Sequence, residues 1–315
     1  MIYLNSSYRR IMNSRHFRSL IDINPQELKR IIKKAIDYKK MDESNCIPNT
    51  HTNKTLAMIF KKNSTRTRVA FETAMYKLGG HAIFLSEETT QLKRGEDISD
   101  TARVLSGMVD LIMMRTNSHE EIKELAKFSS IPVINGLCNL FHPCQLLADM
   151  QTINEIKGDD FNKLTIAWIG DGNNMCNSYI NASKLLGFKL KISTPNGYEP
   201  DSYTLEKFGE NVEFCDIPGS AADNADVVTT DVWSSMGDEN EVEERKRAFK
   251  SYQVNMNLMS KTKNHSIFLH CLPAHRGEEV DNDIIDSKYS KVWQQAHNRL
   301  YSSMALIDFL LSADS

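Results

Sequence analysis

The sequence reads KKNSTRTR from Lys61 to Arg68, between an apolar run and an amphipathic stretch. The apolar run, Leu56–Phe60, predicts a buried strand, and Val69–Leu78 has apolar residues at helical spacing before a pair of glycines. The quoted residues therefore lie where a strand passes into a helix N-terminus. Backbone N–H groups, hydroxyls and guanidiniums converge at such a turn, which favours a phosphate site. The alternative is a capped helix with solvated arginines.

Strand and helix patterns alternate along the rest of the chain. A capping box at residues 24–27 predicts an initial helix, because proline occupies its first helical position. Apolar runs predict strands at residues 81–85, 110–114, 131–134, 164–169, 188–192, 212–215, 226–230 and 266–269. Helical patterns lie at about residues 99–108, 119–128, 143–156 and 174–186. This alternation predicts parallel sheets covered by helices.

The length of 315 residues favours two domains, with a linker at residues 157–160. The predicted fold class is α/β, with two doubly wound parallel-sheet domains of similar size joined by interdomain helices. We expect the first domain at residues 1–150 and the second at residues 151–298. An apolar helix at Ser302–Leu311, within a segment of about residues 299–315, is expected to pack back on the first domain.

The composition favours a cytoplasmic protein. The 38 basic and 41 acidic residues nearly balance, so no field for binding nucleic acid is expected. The six cysteines have no disulfide-framework spacing, which indicates a reducing compartment. The longest uncharged run, residues 128–148, is broken by prolines and polar residues, and the first twenty residues lack the apolar core of a secretory signal. We expect neither a membrane span nor a leader.

The residues that follow the predicted strands carry most of the reactive side chains. In an open parallel sheet, ligands bind beyond the carboxyl ends of the strands. Arg115 ends one strand and is either a structural cap or a second clamp that polarises a carbonyl. His142 and Gln145 share one face at the start of a helix, where they either cap it or bind a planar carbonyl and amide group.

Three clusters in the second half leave several kinds of site open. Residues 170–175 resemble a dinucleotide fingerprint, but Met175 replaces the third glycine and no acid follows the next strand. Asn173 and Asn174 are then carboxylate ligands or helix caps. The Asp231 loop is a turn or a mobile lid for a zwitterion. Cys271 beside His270 allows a metal ligand, a nucleophile or a site-lining thiol, and no ligand spacing supports the metal.

Together these motifs resemble the aspartate/ornithine carbamoyltransferase family. The resemblance covers the chain from about Arg15 onward and depends on the motifs STRTR (64–68), MRT (114–116), HPCQ (142–145), DxxxSMG (231–237), HCLP (270–273) and NR (298–299). The SMG segment and Cys271 resemble the members that act on ornithine rather than aspartate.

The resemblance implies a role for each matching residue. Carbamoyl phosphate would be bound by Ser64, Thr65, Arg66, Thr67, Gln91, Arg115, His142, Gln145, Cys271, Leu272 and Arg299. Ornithine would be bound by Asn174, Asp231, Ser235 and Met236, and the catalytic residues would be Arg115, His142, Asp231 and Cys271. No cofactor or metal is implied. A homotrimer is implied, in which Gln91 reaches the site of a neighbouring subunit.

The implied reaction is direct attack of the ornithine δ-amine on carbamoyl phosphate, giving citrulline and phosphate in arginine biosynthesis. Alternatives are transfer to putrescine or acetylornithine, a non-catalytic relative that keeps the sites, and a nicotinamide oxidoreductase, which Met175 disfavours.

Overall fold

The computed structural model describes residues 14–234 and 241–312. These residues divide into two compact units, one that runs to Gln151 and resumes at Asn298, and one that covers Thr152–His297. Each unit contains a sheet whose described strand pairs are all parallel. The predicted α/β class with two parallel sheets is therefore confirmed.

The first unit has a four-stranded sheet in the order β2-β1-β3-β4. Its strands are β1 (Thr55–Phe60), β2 (His81–Ser86), β3 (Leu111–Arg115) and β4 (Val133–Leu137). The helices that start within it are α1 (Pro25–Glu43), α2 (Thr65–Lys77), α3 (Ile98–Ser106), α4 (His119–Phe128) and α5 (Pro143–Lys157). The chain leaves β1 towards β2 and then crosses to β3, so β1 and β3 flank a topological switch point.

The second unit has a five-stranded sheet in the order β7-β6-β5-β8-β9. Its strands are β5 (Thr165–Ile169), β6 (Lys189–Ser193), β7 (Val212–Phe214), β8 (Val227–Thr230) and β9 (Ile267–His270). Its helices are α6 (Asn174–Leu186), α7 (Ser202–Phe208), α8 (Pro218–Ala222), α9 (Val242–Phe249) and α10 (Met256–Met259). Here β5 and β8 flank the switch point, and the segments after them form the second cluster described below.

The last helix, α11 (Val292–Leu311), begins well before the predicted start at Ser302. Its first half reads VWQQAHNRLY, and the buried residues there include Gln295, Asn298 and Arg299. Polar side chains that point inward do not contribute to an apolar stripe, which is why the sequence pattern missed this part of the helix. No described helix is long and apolar enough to cross a membrane.

Candidate active site

The turn after β1 has the geometry of an anion site. Ser64 caps α2, and its hydroxyl accepts a hydrogen bond from the backbone N–H of Thr67 at 3.3 Å. Thr65 and Arg66 are the first two helical residues, so their N–H groups lie at the positive end of α2. The helix cap of the alternative reading is present, and it leaves the first N–H groups of α2 as donors for an anion, so the phosphate site stays a prediction.

Arg68 makes its contacts at the protein surface and not in the turn after β1. Its Nε donates to Glu72 at 3.0 Å, and its guanidinium carbon lies 3.7 Å from the ring centroid of Phe84. The description of a solvated arginine therefore fits Arg68.

Two buried arginines meet at Thr67 from different elements. Arg115 is the last residue of β3, next to β1, and its Nη1 lies 3.5 Å from Thr67 Oγ1. Arg299 comes from α11, and its Nη2 donates to the same oxygen at 2.7 Å. Both side chains are about 95% buried, with relative exposures of 6% and 5%. Buried guanidiniums beside a helix N-terminus make a strongly anion-selective site.

His142 and Gln145 extend this cluster along α5. Gln145 is fully buried, its Oε1 accepts from Arg299 Nη1 at 2.7 Å, and its Nε2 donates to Asp149 at 2.8 Å. Burial, together with three nearby guanidiniums, holds the pKa of His142 well below its usual value. His142 is therefore a neutral imidazole at physiological pH, which can donate an N–H to a carbonyl oxygen without carrying charge.

The second unit places a buried carboxylate at the end of β8. Asp231 Oδ2 accepts from Asn173 Nδ2 at 2.9 Å. Asp231 Oδ1 accepts from the Cys271 thiol at 3.0 Å and from the backbone N–H of Val232 at 2.8 Å. The carboxylate is thus held by the segments after β5 and β9, and it remains 8% exposed.

His270 is committed to contacts other than Cys271. Its Nδ1 accepts from the backbone N–H of Leu272 at 2.9 Å, so its Nε2 carries the proton and donates to Glu279 at 3.1 Å. A histidine fixed in this way does not activate Cys271 as a nucleophile. Asp231, His270 and Cys271 have possible metal-ligand atoms within 4.8 Å of one another. However, His270 Nδ1 already accepts a hydrogen bond from the backbone N–H of Leu272.

Leu272 has an unusual backbone conformation. Its φ of 57° lies in the left-handed region, and its bond to Pro273 is cis. A non-glycine residue in this region is uncommon and is often found at binding sites. The hydrogen bond from its N–H to His270 stabilises the conformation.

The turn after β5 is built for packing and capping. A Cβ on Gly172 would lie 2.3 Å from backbone atoms of Glu199 and Pro200, so close backbone contact explains this glycine. Met175 is buried at the third glycine position of the fingerprint. Asn173 caps α6 through Met175, which fits the capping alternative, whereas the ligand role of Asn174 stays a prediction.

The roles of three predicted ligands stay predictions. Gln91 is exposed at the start of a 3-10 helix, Gln91–Arg94. Ser235 and Met236 lie outside the described residues.

Sequence analysis missed two residues that support the site. Asp149 follows Gln145 by one helical turn, and that spacing is the signal that could have found it. Arg245 on α9 donates through Nη1 to Asp171 Oδ2 at 3.0 Å and to the carbonyl of Trp233 at 2.9 Å. It ties together the segments that follow β5 and β8, and nothing in the sequence pattern indicates this contact.

Family models and curated relatives match almost the whole described chain. The carbamoyl-P binding domain of aspartate/ornithine carbamoyltransferase matches residues 15–155, and the Asp/Orn binding domain matches residues 162–310. The ornithine carbamoyltransferase of Hydrogenovibrio crunogenus is 52% identical over 96% of this chain and 99% of its own length. That of Acinetobacter baumannii strain AYE is 51% identical over 96% and 98%.

Solved structures give the same result. Ornithine carbamoyltransferase from Pyrococcus furiosus is 45% identical with a TM-score of 0.91, and the match covers 95% of this chain and 98% of that one. The anabolic enzyme of that name from Campylobacter jejuni is 41% identical with a TM-score of 0.86, over 94% and 98%. The chain belongs to the aspartate/ornithine carbamoyltransferase family.

Proposed function

We propose that the chain transfers the carbamoyl group of carbamoyl phosphate to the δ-amine of L-ornithine, giving L-citrulline and phosphate. One observation carries the proposal. Arg299 donates to Thr67 in the anion turn and to the acceptor oxygen of Gln145. A single buried guanidinium thus contacts both the turn that would bind a phosphate and the side-chain amide that would bind a carbamoyl group. Carbamoyl phosphate has these two groups joined in one small molecule.

In the first unit, each end of carbamoyl phosphate has its own set of residues. Ser64, Thr65, Arg66 and Thr67 bind the phosphate with Arg115 and Arg299. Neutral His142 and Arg115 polarise the carbonyl oxygen, and the Gln145 Oε1 accepts from the carbamoyl amine. Donors placed where negative charge develops lower the barrier most, because they need no reorganisation during the reaction.

In the second unit, Asp231 binds the α-amino group of ornithine, and Asn174 binds its carboxylate together with Ser235 and Met236. Cys271 lies beside the δ-amine, and the backbone carbonyl of Leu272 contacts the carbamoyl amine. The hydrogen bonds that Asp231 receives from Asn173 and Cys271 support this assignment, because they hold the carboxylate in one orientation.

The reaction proceeds by one displacement. The δ-amine lone pair forms a bond to the carbamoyl carbon, the bond from that carbon to the bridging oxygen breaks, and phosphate leaves with the electron pair. The attacking nitrogen then gives up its second proton, which the departing phosphate takes up. The amine must first lose a proton, which costs roughly 4–5 kcal/mol at pH 7 for a lysine-like pKa of about 10.4. We infer that Cys271, beside the δ-amine, tunes that step together with Asp231, which accepts the hydrogen bond of its thiol. The mechanism uses neither a metal nor a covalent intermediate.

We further propose a cytoplasmic homotrimer that acts in arginine biosynthesis. Exposed apolar side chains on the first unit support self-association, since Val69, Tyr76 and Ile83 are 56%, 79% and 39% exposed. Ile83 lies on β2, an edge strand of its sheet. In this assembly Gln91 contacts the site of a neighbouring subunit. Sedimentation of the purified protein tests the trimer.

The activity is tested by citrulline formation from carbamoyl phosphate with ornithine, putrescine and acetylornithine in parallel. The proposal expects saturable turnover with ornithine and little with the other two amines. Tight carbamoyl phosphate binding without citrulline would instead identify a non-catalytic relative.

A further inference from the structure

The side-chain amide of Gln145 lies between opposite charges inside the first unit. Its oxygen accepts from the Arg299 guanidinium at 2.7 Å, and its nitrogen donates to the Asp149 carboxylate at 2.8 Å. Both Gln145 and Asp149 are fully buried. A buried carboxylate is costly to desolvate, so its position one turn from Gln145 calls for an explanation.

The two charges allow only one orientation of the amide. A flipped Gln145 would turn its NH₂ group towards a guanidinium, which only donates, and its oxygen towards a carboxylate, which only accepts. Arg299 alone would orient the amide from one side. Asp149 orients the amide from the other side. The two residues lie one turn apart on the same face of α5, which fixes the spacing between them.

We propose that Asp149 is a positioning residue, which makes this site bind carbamoyl phosphate in preference to acetyl phosphate. The inference rests on the proposed function, in which the Gln145 oxygen accepts from the carbamoyl amine. Asp149 acts through Gln145: it holds the Nε2 group, so that the oxygen of Gln145 and not its NH₂ group faces the carbamoyl amine. Acetyl phosphate has the same shape and charge but a methyl group at this position, so it leaves the buried acceptor without its ligand hydrogen bond. Sites built around such a hydrogen bond reject the analogue that lacks it.

Asp149→Asn tests this role, because asparagine has the same shape and can either donate to or accept from Gln145. Two quantities are measured on the full chain: the dissociation constant of carbamoyl phosphate and the inhibition constant of acetyl phosphate against it. We expect the first to rise about 10-fold and the second less than about 3-fold, so the selectivity ratio falls. Asp149→Ser carries the same expectation if the asparagine variant does not fold. Equal changes in both constants would mean a merely structural role and would overturn the proposal.

A second-site test separates action through Gln145 from a general effect. Gln145→Met removes the acceptor, and adding Asp149→Asn to that variant should change the selectivity ratio less than about 2-fold. Asp110→Asn is the matched control, since Asp110 pairs with Lys54 elsewhere in the unit and should leave the ratio unchanged. A wild-type chain that forms no citrulline contradicts the proposed function, whereas an active chain whose ratio survives Asp149→Asn contradicts only this inference.

Discussion

Arg299 and Thr67 are 232 positions apart in the sequence, and the guanidinium of the first donates to the hydroxyl of the second at 2.7 Å. This contact closes the anion turn with a residue from the last helix. The site in the first unit therefore depends on α11 as well as on the turn itself.

Arg66 and Arg68 offer a matched pair for the phosphate role. Arg66→Ala should lower kcat/KM for carbamoyl phosphate about 100-fold, because one charged donor to the phosphate is lost. Arg68→Ala should change it less than about 3-fold, since Arg68 is held by Glu72 and Phe84. Steady-state kinetics check both. Similar losses in the two variants would count against the assignment.

Cys271 should act through its hydrogen bond to Asp231. Cys271→Ser keeps a hydroxyl donor at this position, whereas Cys271→Ala leaves the buried carboxylate short of one donor. We expect the alanine variant to lose about 10-fold more of the kcat/KM for ornithine than the serine variant. Steady-state kinetics with ornithine as the varied substrate check this expectation. Equal activity in the two variants would argue against the hydrogen bond.

Arg245 should matter for ornithine and not for carbamoyl phosphate. Arg245→Gln removes the guanidinium that donates both to Asp171 and to the carbonyl of Trp233. The segment that begins at Asp231 therefore loses a hydrogen bond that fixes its position. The KM for ornithine should rise about 10-fold while carbamoyl phosphate affinity stays constant. Arg247→Gln, on the exposed face of the same helix, is the control. A rise in both constants would indicate general destabilisation.

The stability of the protein should fall in mild acid because of His16. Burial first, and then the charge of Arg18, lower the pKa of His16 to about 4, and its Nδ1 accepts from the backbone N–H of Val133. Above pH 6.5 the imidazole is neutral whether the chain is folded or unfolded. Between pH 6.5 and about 4 only the unfolded chain takes up the proton, so the free energy of unfolding decreases as the pH falls.

His16→Asn removes this titration and keeps an oxygen that can accept from Val133. Urea unfolding at pH 7.5 and pH 4.5 should show a loss of roughly 2–3 kcal/mol in the wild type that is smaller in the variant. The same loss in both proteins would remove His16 as the cause.

Strand ends were the most informative part of the sequence. Arg115 and Asp231 were singled out because each follows an apolar run, and the structure places them at the ends of β3 and β8. Arg299 has no such signal, because it lies in the polar half of α11, and only the resemblance pointed to it. Asp149 and Arg245 were missed because each acts on another protein group through a tertiary contact, which local patterns do not contain.

The short helices were also missed. The segments α7, α8, α9 and α10 have 7, 5, 8 and 4 residues, too few for a repeating apolar face. Their helical form depends on packing against neighbouring elements, as α8 packs against β5 and β6, and on caps such as Asp201 and Asn255.

The central claim is that the turn after β1 binds the phosphate group of carbamoyl phosphate. The most direct measurement is a crystal structure with a non-transferable phosphonate analogue, in which a methylene group replaces the bridging oxygen. The account predicts the phosphonate within hydrogen-bond distance of Arg66 and of the first N–H groups of α2, with the amide end at Gln145. Clear density for the analogue elsewhere, with this turn unoccupied by it, would contradict the account.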